Sequence, residues 1–248
     1  MISLKSKREI QTIREAGEII KQVLAKVEAS IRPGVTTEEL DRSAETIIRE
    51  QGAEPAFKGY RGFPKAACIS INEEVVHGIP GPRQIKDKDI VSFDVGVKWK
   101  GYFADAARTW AVGDVDEVRL RLIRTTYEAL KACLKAYRPG CRIGDLSAAI
   151  QEHVESQYFN VIRDYVGHGI GREIHEDPQV PNYGQPGQGP KVEPGLVLAI
   201  EPMVTEGHWS VETLENGWTV VTKDRKLASH YEDTIAFMES GYINLTGD

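Results

Sequence analysis

One stretch of the chain, residues 89–110, constrains the fold more than any other. Two runs within it, residues 90–97 and 102–110, are rich in β-branched and aromatic side chains, which favour extended strands. The dipeptide Lys100-Gly101 lies between these runs and is a turn signal. The stretch therefore predicts an antiparallel β-hairpin.

This hairpin would bring two carboxylates close together. If Trp99 and Tyr102 flank the turn, Asp94 and Asp105 point to the same face of the hairpin, one diagonal step apart. A register shifted by one residue would place the two side chains on different faces of the hairpin. A shift of two in the sum of the facing residue numbers would instead pair the two aspartates directly across the strands.

Two ionised carboxylates repel each other, and burial makes the ionisation of both costly. Either one of them stays protonated or a cation lies between them. The apolar neighbours favour the cation, and they are Phe93, Val95, Phe103 and Ala104. A solvated pair on an exposed strand face is the alternative that the hairpin alone leaves open.

Composition and charge exclude several classes of protein. The 248 residues carry a net charge of -6, which argues against nucleic acid as the main ligand. The three cysteines have no CxxC spacing and form no evident disulfide framework. No apolar run is long enough to span a membrane, and residues 1–20 do not resemble a signal peptide. We therefore expect a cytoplasmic protein without membrane contact.

A helix-loop-helix pattern occurs twice, and capping-box signals precede both helices of its first copy. The tripeptide Arg-Pro-Gly separates the two helical patterns at residues 32–34 and again at residues 138–140. This repeat predicts a single domain over residues 1–248, with two related αβ halves of approximately 1–112 and 113–248 around a shared sheet.

Strand-like segments follow each pair of helices. In the first half they are the hairpin and residues 66–71, and in the second half they are residues 161–166, 196–204, 219–222 and 234–238. Residues 176–194 are rich in Pro, Gly and Gln, so we expect an ordered or semi-ordered loop there.

Three further side chains are candidates for metal ligation. His168 lies between two glycines, Glu201 ends the apolar run 196–200, and Glu232 lies just before an expected strand. A charge within or at the end of an apolar strand is rarely buried unless it is paired or binds metal. Each of these residues alone would more simply be a satisfied polar side chain, but their co-occurrence with the two aspartates indicates a common site.

Four motifs together carry a resemblance to a known family. They are I-S-I-N-E-E-V-V-H-G-I-P at 69–80, V-S-F-D-V-G at 91–96, G-H-G-I-G-R-E-I-H-E-D-P at 167–178 and A-I-E-P-M at 199–203. In this order they resemble the methionine aminopeptidases in their short bacterial type I form, and the resemblance covers essentially the whole chain. It implies an α+β pita-bread fold, in which two pseudo-symmetric αβ halves surround a curved, mostly antiparallel sheet.

The ligand set has a consistent charge. Four carboxylates and one neutral imidazole carry about four negative charges, which two divalent cations would neutralise. The resemblance implies that Asp105 and Glu232 bridge the two metals, that Asp94 completes one coordination sphere, and that His168 with Glu201 completes the other. Such oxygen-rich ligation suits Mn, Fe or Co, and Zn also remains open.

The resemblance further implies a hydrolase that removes the N-terminal methionine of nascent proteins when the second residue is small. A bridging hydroxide on the dinuclear metal centre would attack the first peptide bond, and Glu201 would take its proton. His175 would donate to the developing oxyanion, and His77 would position the peptide on its leaving side. Without the motifs, His77 would be an ordinary loop histidine and His175 a solvated one.

By the same resemblance, the pocket for the first residue is lined by Tyr60, Phe63, Cys68 and Trp218. Aromatic edges and a soft sulfur suit a methionine thioether, although aromatic residues taken alone would indicate core packing. The implied partners are nascent polypeptides and the ribosome, and the implied enzyme is a monomer.

The sequence departs from the family pattern at three positions. Asp233 replaces a common histidine, His230 a common glutamine, and Ile174 a common phenylalanine. We expect the first two to lie around Glu232 and to alter metal preference or affinity. The third would reshape the methionine pocket.

Two other functions compete with this interpretation. A proline-specific peptidase of the same fold would cleave X-Pro peptides, but such enzymes generally carry an additional N-terminal domain. A pita-bread protein that only binds peptides or ribosomes would have lost metal ligands, whereas all five are present in this sequence.

Overall fold

The structure is a computed structural model that describes residues 2–247. Met1 and Asp248, the two ends of the predicted domain, lie outside the described residues. The α-helices are α1 (Lys7–Glu28), α2 (Thr37–Glu50), α3 (Glu117–Ala136) and α4 (Ile143–Ser156). The strands of the first half are β1 (Glu54–Pro55), β2 (Ala67–Ile71), β3 (Glu74–Val76), β4 (Ile90–Trp99) and β5 (Tyr102–Ala111). The later strands are β6 (Asn160–Val161), β7 (Val166–Gly169), β8 (Glu176–Pro181), β9 (Val197–Ile200), β10 (Met203–Thr205), β11 (Val211–Thr213), β12 (Val220–Thr222), β13 (Ala228–His230), β14 (Glu232–Met238) and β15 (Gly241–Asn244).

One large antiparallel sheet organises the molecule. Its strand order is β1-β4-β5-β14-β9-β7-β8, with β2 beside β4 and β15 beside β14. Two smaller antiparallel sheets have the orders β13-β10-β6 and β11-β12-β3. The α+β class is therefore confirmed.

Among residues 2–247, no helix combines the length and the apolar character that a membrane crossing requires.

The hairpin has the predicted register. Trp99 pairs with Tyr102 across the turn, which places Asp94 opposite Ala107. Lys100 and Gly101 both have positive φ, as a two-residue hairpin turn of this twist requires.

The helices pack their apolar faces against the large sheet. The predicted capping boxes are present at the start of α1 and α2, where Ser6 and Thr36 each accept from the third helical N–H. One core cluster joins α1 and α2 to β2, β4 and β5, and a second joins α3 and α4 to β9 and β14. The predicted division into two pseudo-repeat halves stays a prediction.

Two predicted strands are wrong because the chain crosses between sheets. The segment 161–166 divides into β6, which pairs with β10 in a small sheet, and β7, which pairs with β9 in the large sheet. The segment 196–204 divides at Glu201-Pro202 into β9 and β10, which belong to the same two sheets. A continuous strand would have kept each segment in one sheet.

The predicted loop 176–194 contains strand β8 at its start. β8 lies at the edge of the large sheet and pairs with β7 alone. Edge strands tolerate proline because one side of the backbone makes no ladder hydrogen bonds, so Pro178 and Pro181 did not prevent strand formation.

Gly17, at the middle of α1, lets this helix approach the backbone of Leu245 closely. A substitution at this glycine tests the packing of the helix. A Cβ at Gly17 would lie 2.0 Å from the carbonyl oxygen of Leu245. Alanine raises helix propensity by about 1 kcal/mol over glycine, but relieving this contact requires a backbone shift.

We therefore expect Gly17→Ala to lower the free energy of unfolding by about 1–3 kcal/mol, measured by urea denaturation. Gln22→Ala, at an exposed position of the same helix, is the control and should change stability by less than about 0.5 kcal/mol. A stabilised Gly17→Ala variant would show that α1 does not approach the C-terminal segment this closely.

Candidate active site

Neighbouring strands of the large sheet bring the five predicted ligands together. Asp94 lies on β4, Asp105 on β5, Glu232 at the start of β14, and His168 on β7. Glu201 follows β9, at the point where the chain leaves the large sheet. Strands β4, β5, β14, β9 and β7 are adjacent in this order, so residues distant in sequence meet in one region.

The carboxylate groups are largely buried, and three of their oxygen atoms lack a hydrogen-bond partner among the described residues. Asp105 and Glu232 are 4% and 2% exposed. Within residues 2–247, Asp94 Oδ1, Asp105 Oδ1 and Glu232 Oε1 have no hydrogen-bond partner. Buried polar atoms are normally satisfied, so three unpartnered oxygens in one region indicate a missing charged group.

The pKa values of the four carboxyl groups also indicate a cation site. Burial raises the pKa of Asp94 well above its usual value, and the charges of Asp105 and Glu201 add to this shift. Burial likewise raises the pKa of Asp105 to about 7. It also raises the pKa values of Glu201 and Glu232 well above normal, with the charge of Asp105 as the next cause for both. Divalent cations would reverse these shifts and keep the carboxylates ionised at neutral pH.

His168 has the surroundings of a ligating imidazole. Its Nδ1 lies 3.0 Å from the carbonyl oxygen of Gly169, and its Nε2 lies 3.5 Å from Glu201 Oε1. Burial lowers its pKa to about 4, so the ring is neutral. A backbone carbonyl that accepts from Nδ1–H leaves the Nε2 lone pair free for a metal.

The donor atoms are close enough to hold cations. Ligand atoms of Asp105, His168 and Glu232 lie within 4.8 Å of one another. The same is true of Glu201, His230 and Glu232. Carboxylates and a neutral imidazole in such groups fit divalent metal ions.

His230 belongs to the second group, although the sequence interpretation had not named it as a ligand. It is 2% exposed, and its Nε2 lies 3.6 Å from Glu201 Oε2 and 3.9 Å from Glu232 Oε2. Burial lowers its pKa to about 3. One feature of the sequence could have indicated His230. It lies two residues before Glu232, and side chains two residues apart in an extended chain point to the same face.

A cavity of about 310 Å³ opens beside these groups. Its apolar wall includes Tyr60, Phe63, Cys68 and Trp218, the four residues predicted to line the first-residue pocket. Phe63 and Trp218 meet edge to face with ring centroids 5.1 Å apart. Phe57 and Met203 also line the cavity and had not been predicted. Ile174 is buried and packs against Phe57, Phe63 and Cys68 at this wall.

Two more histidines line the cavity. His175 is exposed at the mouth, and its Nδ1 lies 3.0 Å from the hydroxyl of Tyr60. Partial burial of its ring, together with the neighbouring His168, lowers the pKa of His175 to about 3. The ring of His77 contacts those of Tyr165 and Trp218 edge to face, and burial lowers the pKa of His77. Both imidazoles are therefore neutral at physiological pH.

A buried ion pair fixes the segment that carries His175. Lys5 pairs with Glu176, and both side chains are largely buried. Glu176 also accepts hydrogen bonds from the backbone N–H groups of Arg172 and Glu173. The N-terminal segment thus anchors the residue directly after His175.

Asp233 lies next to Glu232, as we had expected, but on the opposite face of β14. Its carboxylate is 2.7 Å from an Arg108 nitrogen and accepts hydrogen bonds from Thr246 and Asn244. Successive residues of a strand point to opposite faces, so Asp233 lies behind the sheet while Glu232 faces the cavity. Arg108 also donates to the carbonyl oxygen of Glu232 at 2.6 Å, which anchors this part of β14 from behind.

Known proteins are similar to this chain in both sequence and structure. The sequence profile of metallopeptidase family M24 matches residues 11–239. The methionine aminopeptidase of Clostridium perfringens is 52% identical over 247 residues, which cover 99% of each chain. The methionine aminopeptidase 1 of Bacillus subtilis is 49% identical, again over 99% of each chain.

Solved structures of a methionine aminopeptidase and of a prolidase match this chain to different extents. The crystal structure of methionine aminopeptidase from Thermotoga maritima has a TM-score of 0.98 at 48% identity and covers all of both chains. The prolidase from Pyrococcus furiosus has a TM-score of 0.79 at 25% identity, and the match covers 99% of this chain but 65% of the prolidase. The predicted pita-bread fold is thereby confirmed. The chain belongs to the methionine aminopeptidases of metallopeptidase family M24.

Proposed function

We propose that the enzyme removes the N-terminal methionine of polypeptides whose second residue is small, and that it uses two divalent cations. The observation that carries this proposal is the convergence of four buried, unneutralised carboxylates with one neutral imidazole beside an apolar cavity. Nascent polypeptides are the substrates under this proposal. Ribosome binding, a monomeric state and a cytoplasmic location stay predictions.

The cations would be held by the side chains of Asp94, Asp105, His168, Glu201 and Glu232. When bound, the metals supply a water that is nucleophilic at neutral pH, and they polarise the carbonyl of the first peptide bond. Co, Mn, Fe and Zn are all compatible with this donor set.

The cavity itself selects the substrate. The methionine side chain would lie against Tyr60, Phe63, Cys68 and Trp218, where a flexible thioether gains dispersion and sulfur–aromatic contacts. The free α-amino group would lie beside the acidic side chains at the other end of the cavity. This arrangement positions the first peptide bond between the carboxylates and the two neutral histidines.

We assign the catalytic roles to three side chains beside the cavity. Glu201 would accept the proton of the attacking water and deliver it to the leaving amine. His175 would accept the hydroxyl proton of Tyr60 at Nδ1, 3.0 Å away, which places the ring proton on Nε2 as the donor to the developing oxyanion. His77, held between two aromatic rings, would orient the peptide on its leaving side.

Metal should support the fold as well as the activity. Without cations, four carboxylates converge at a site of low polarity, and their repulsion destabilises the native state. We expect chelation to abolish hydrolysis of a Met-Ala peptide and to lower the melting temperature. Addition of Mn, Co or Fe should restore both, as followed by calorimetry and a peptide assay. An unchanged melting temperature of the metal-free protein would contradict the convergent site.

Alanine substitutions of His168 and His175 should have different effects on metal content and on turnover. His175→Ala removes an oxyanion donor, so kcat should fall by about two to three orders of magnitude while the metal content is retained. His168→Ala should instead lose metal, as measured by elemental analysis of the purified proteins. Two variants that both retain metal and change only KM would show that these roles are assigned wrongly.

The second substrate residue should be selected by size. The product chain leaves past His77 close to the metal ligands, so a bulky side chain would lift the scissile carbonyl from its position. A displacement of about 1 Å can lower the rate about a hundredfold. We expect cleavage of Met-Gly, Met-Ala and Met-Ser peptides and almost none of Met-Lys, Met-Leu and Met-Phe peptides.

N-formylation of a Met-Ala peptide is the control and should block cleavage, because it neutralises the amine. Equal rates on Met-Ala and Met-Phe peptides would overturn the proposed selectivity. Preferential cleavage of X-Pro peptides would favour the prolidase function instead.

A further inference from the structure

His230 carries a buried ring nitrogen that nothing in the described residues satisfies. The side chain is 2% exposed, and its Nε2 has no hydrogen-bond partner within residues 2–247. The backbone around it is fixed, because Thr109 Oγ1 accepts from the N–H of His230 at 3.0 Å and donates to its carbonyl oxygen at 2.7 Å. The backbone of His230 is therefore fixed, while its Nε2 has no hydrogen-bond partner among the described residues.

The nearest polar atoms are carboxylate oxygens, but they are too distant for hydrogen bonds. Nε2 lies 3.6 Å from Glu201 Oε2 and 3.9 Å from Glu232 Oε2. Separations of this size are beyond normal hydrogen-bond lengths. They are typical of two ligand atoms around one ion, since metal–nitrogen and metal–oxygen bonds of about 2.0–2.2 Å place neighbouring ligands about 3–4 Å apart.

The three side chains form a compact donor group. Ligand atoms of Glu201, His230 and Glu232 all lie within 4.8 Å of one another. Two carboxylates and an imidazole are a donor set that transition metals bind in proteins. Glu201 and Glu232 already belong to the metal site of the proposed function, whereas His230 has no role in it.

We propose that His230 is an additional metal ligand in this enzyme and shares one ion with Glu201 and Glu232. This inference rests on the proposed metal site but not on its substrate. Its consequence is a centre with two imidazole ligands, His168 and His230, rather than one. Imidazole favours Co, Ni and Zn over Mn, whereas carboxylates favour Mn. The enzyme therefore discriminates against Mn more strongly than a centre with a single histidine would.

The first test compares metal affinities of the wild type and His230→Gln, measured by titration calorimetry on metal-stripped protein. We expect the Kd for Co to rise at least about tenfold in the variant and the Kd for Mn to change much less. His153→Gln is the matched control, because His153 lies on α4 outside the cavity, and both affinities should stay unchanged.

The second test counts the ligating imidazoles directly. Each imidazole bound to paramagnetic Co should give one hyperfine-shifted, solvent-exchangeable N–H signal in the proton spectrum of the ¹⁵N-histidine-labelled, Co-loaded enzyme. We expect two such signals in the wild type and one in His230→Gln. The wild-type count tests the inference even if the variant does not fold.

One such signal in the wild-type enzyme with both metal positions filled would overturn the inference. Equal losses of affinity for Mn and Co in His230→Gln, with two signals retained, would also overturn it and make His230 a positioning residue. Hydrolysis of Met-Ala by the wild type is scored separately. An enzyme that cleaves this peptide but shows one signal would retain the proposed function and lose only this inference.

Discussion

The burial of several carboxylates around one small volume is the constraint on which the rest of the structure depends. Burial raises the pKa values of all four carboxyl groups, and the charges of neighbouring carboxylates raise those of Asp94, Glu201 and Glu232 further. A fold can hold such groups only if their backbones are fixed by interactions that do not involve the charges. Under the proposed function, cations would convert the repulsion between these carboxylates into attraction, so that stability and chemistry would depend on the same ions.

The large antiparallel sheet supplies this fixed backbone. Cross-strand pairing sets the positions of Asp94 and Asp105 in the hairpin and of Glu232 beside it. Behind the sheet, Arg108 bonds both the carbonyl oxygen of Glu232 and the carboxylate of Asp233. These contacts stabilise the strand without competing for the cavity-facing oxygens of Glu232. Asp233 therefore supports the strand from behind, and its charge also raises the pKa of Glu232. The predicted effect of Asp233 on metal affinity stays a prediction.

Local patterns predicted the parts of the site that depend on local geometry. The hairpin register followed from strand alternation and a two-residue turn, because both act within about twenty residues. The breaks within 161–166 and 196–204 did not follow, because they arise where the chain changes from one sheet to another. Strand β8 depends on the partner β7 rather than on its own composition. The proximity of His230 to Glu201 was not predicted either, because it depends on how two distant parts of the chain meet.

The same hairpin also connects the predicted metal ligands to the apolar wall of the cavity. Gly96 pairs with Asp105 across the hairpin, and a Cβ there would lie 2.8 Å from a ring carbon of Phe57 and 3.3 Å from Ile174 Cδ1. The absence of a side chain at this position lets the apolar wall approach the strand that carries Asp94. A bulkier side chain at position 174 would therefore press on the backbone opposite Asp105 as well as on the cavity wall. Because this packing is close, a change of volume at the wall would shift both the wall and the strand β4 that carries Asp94.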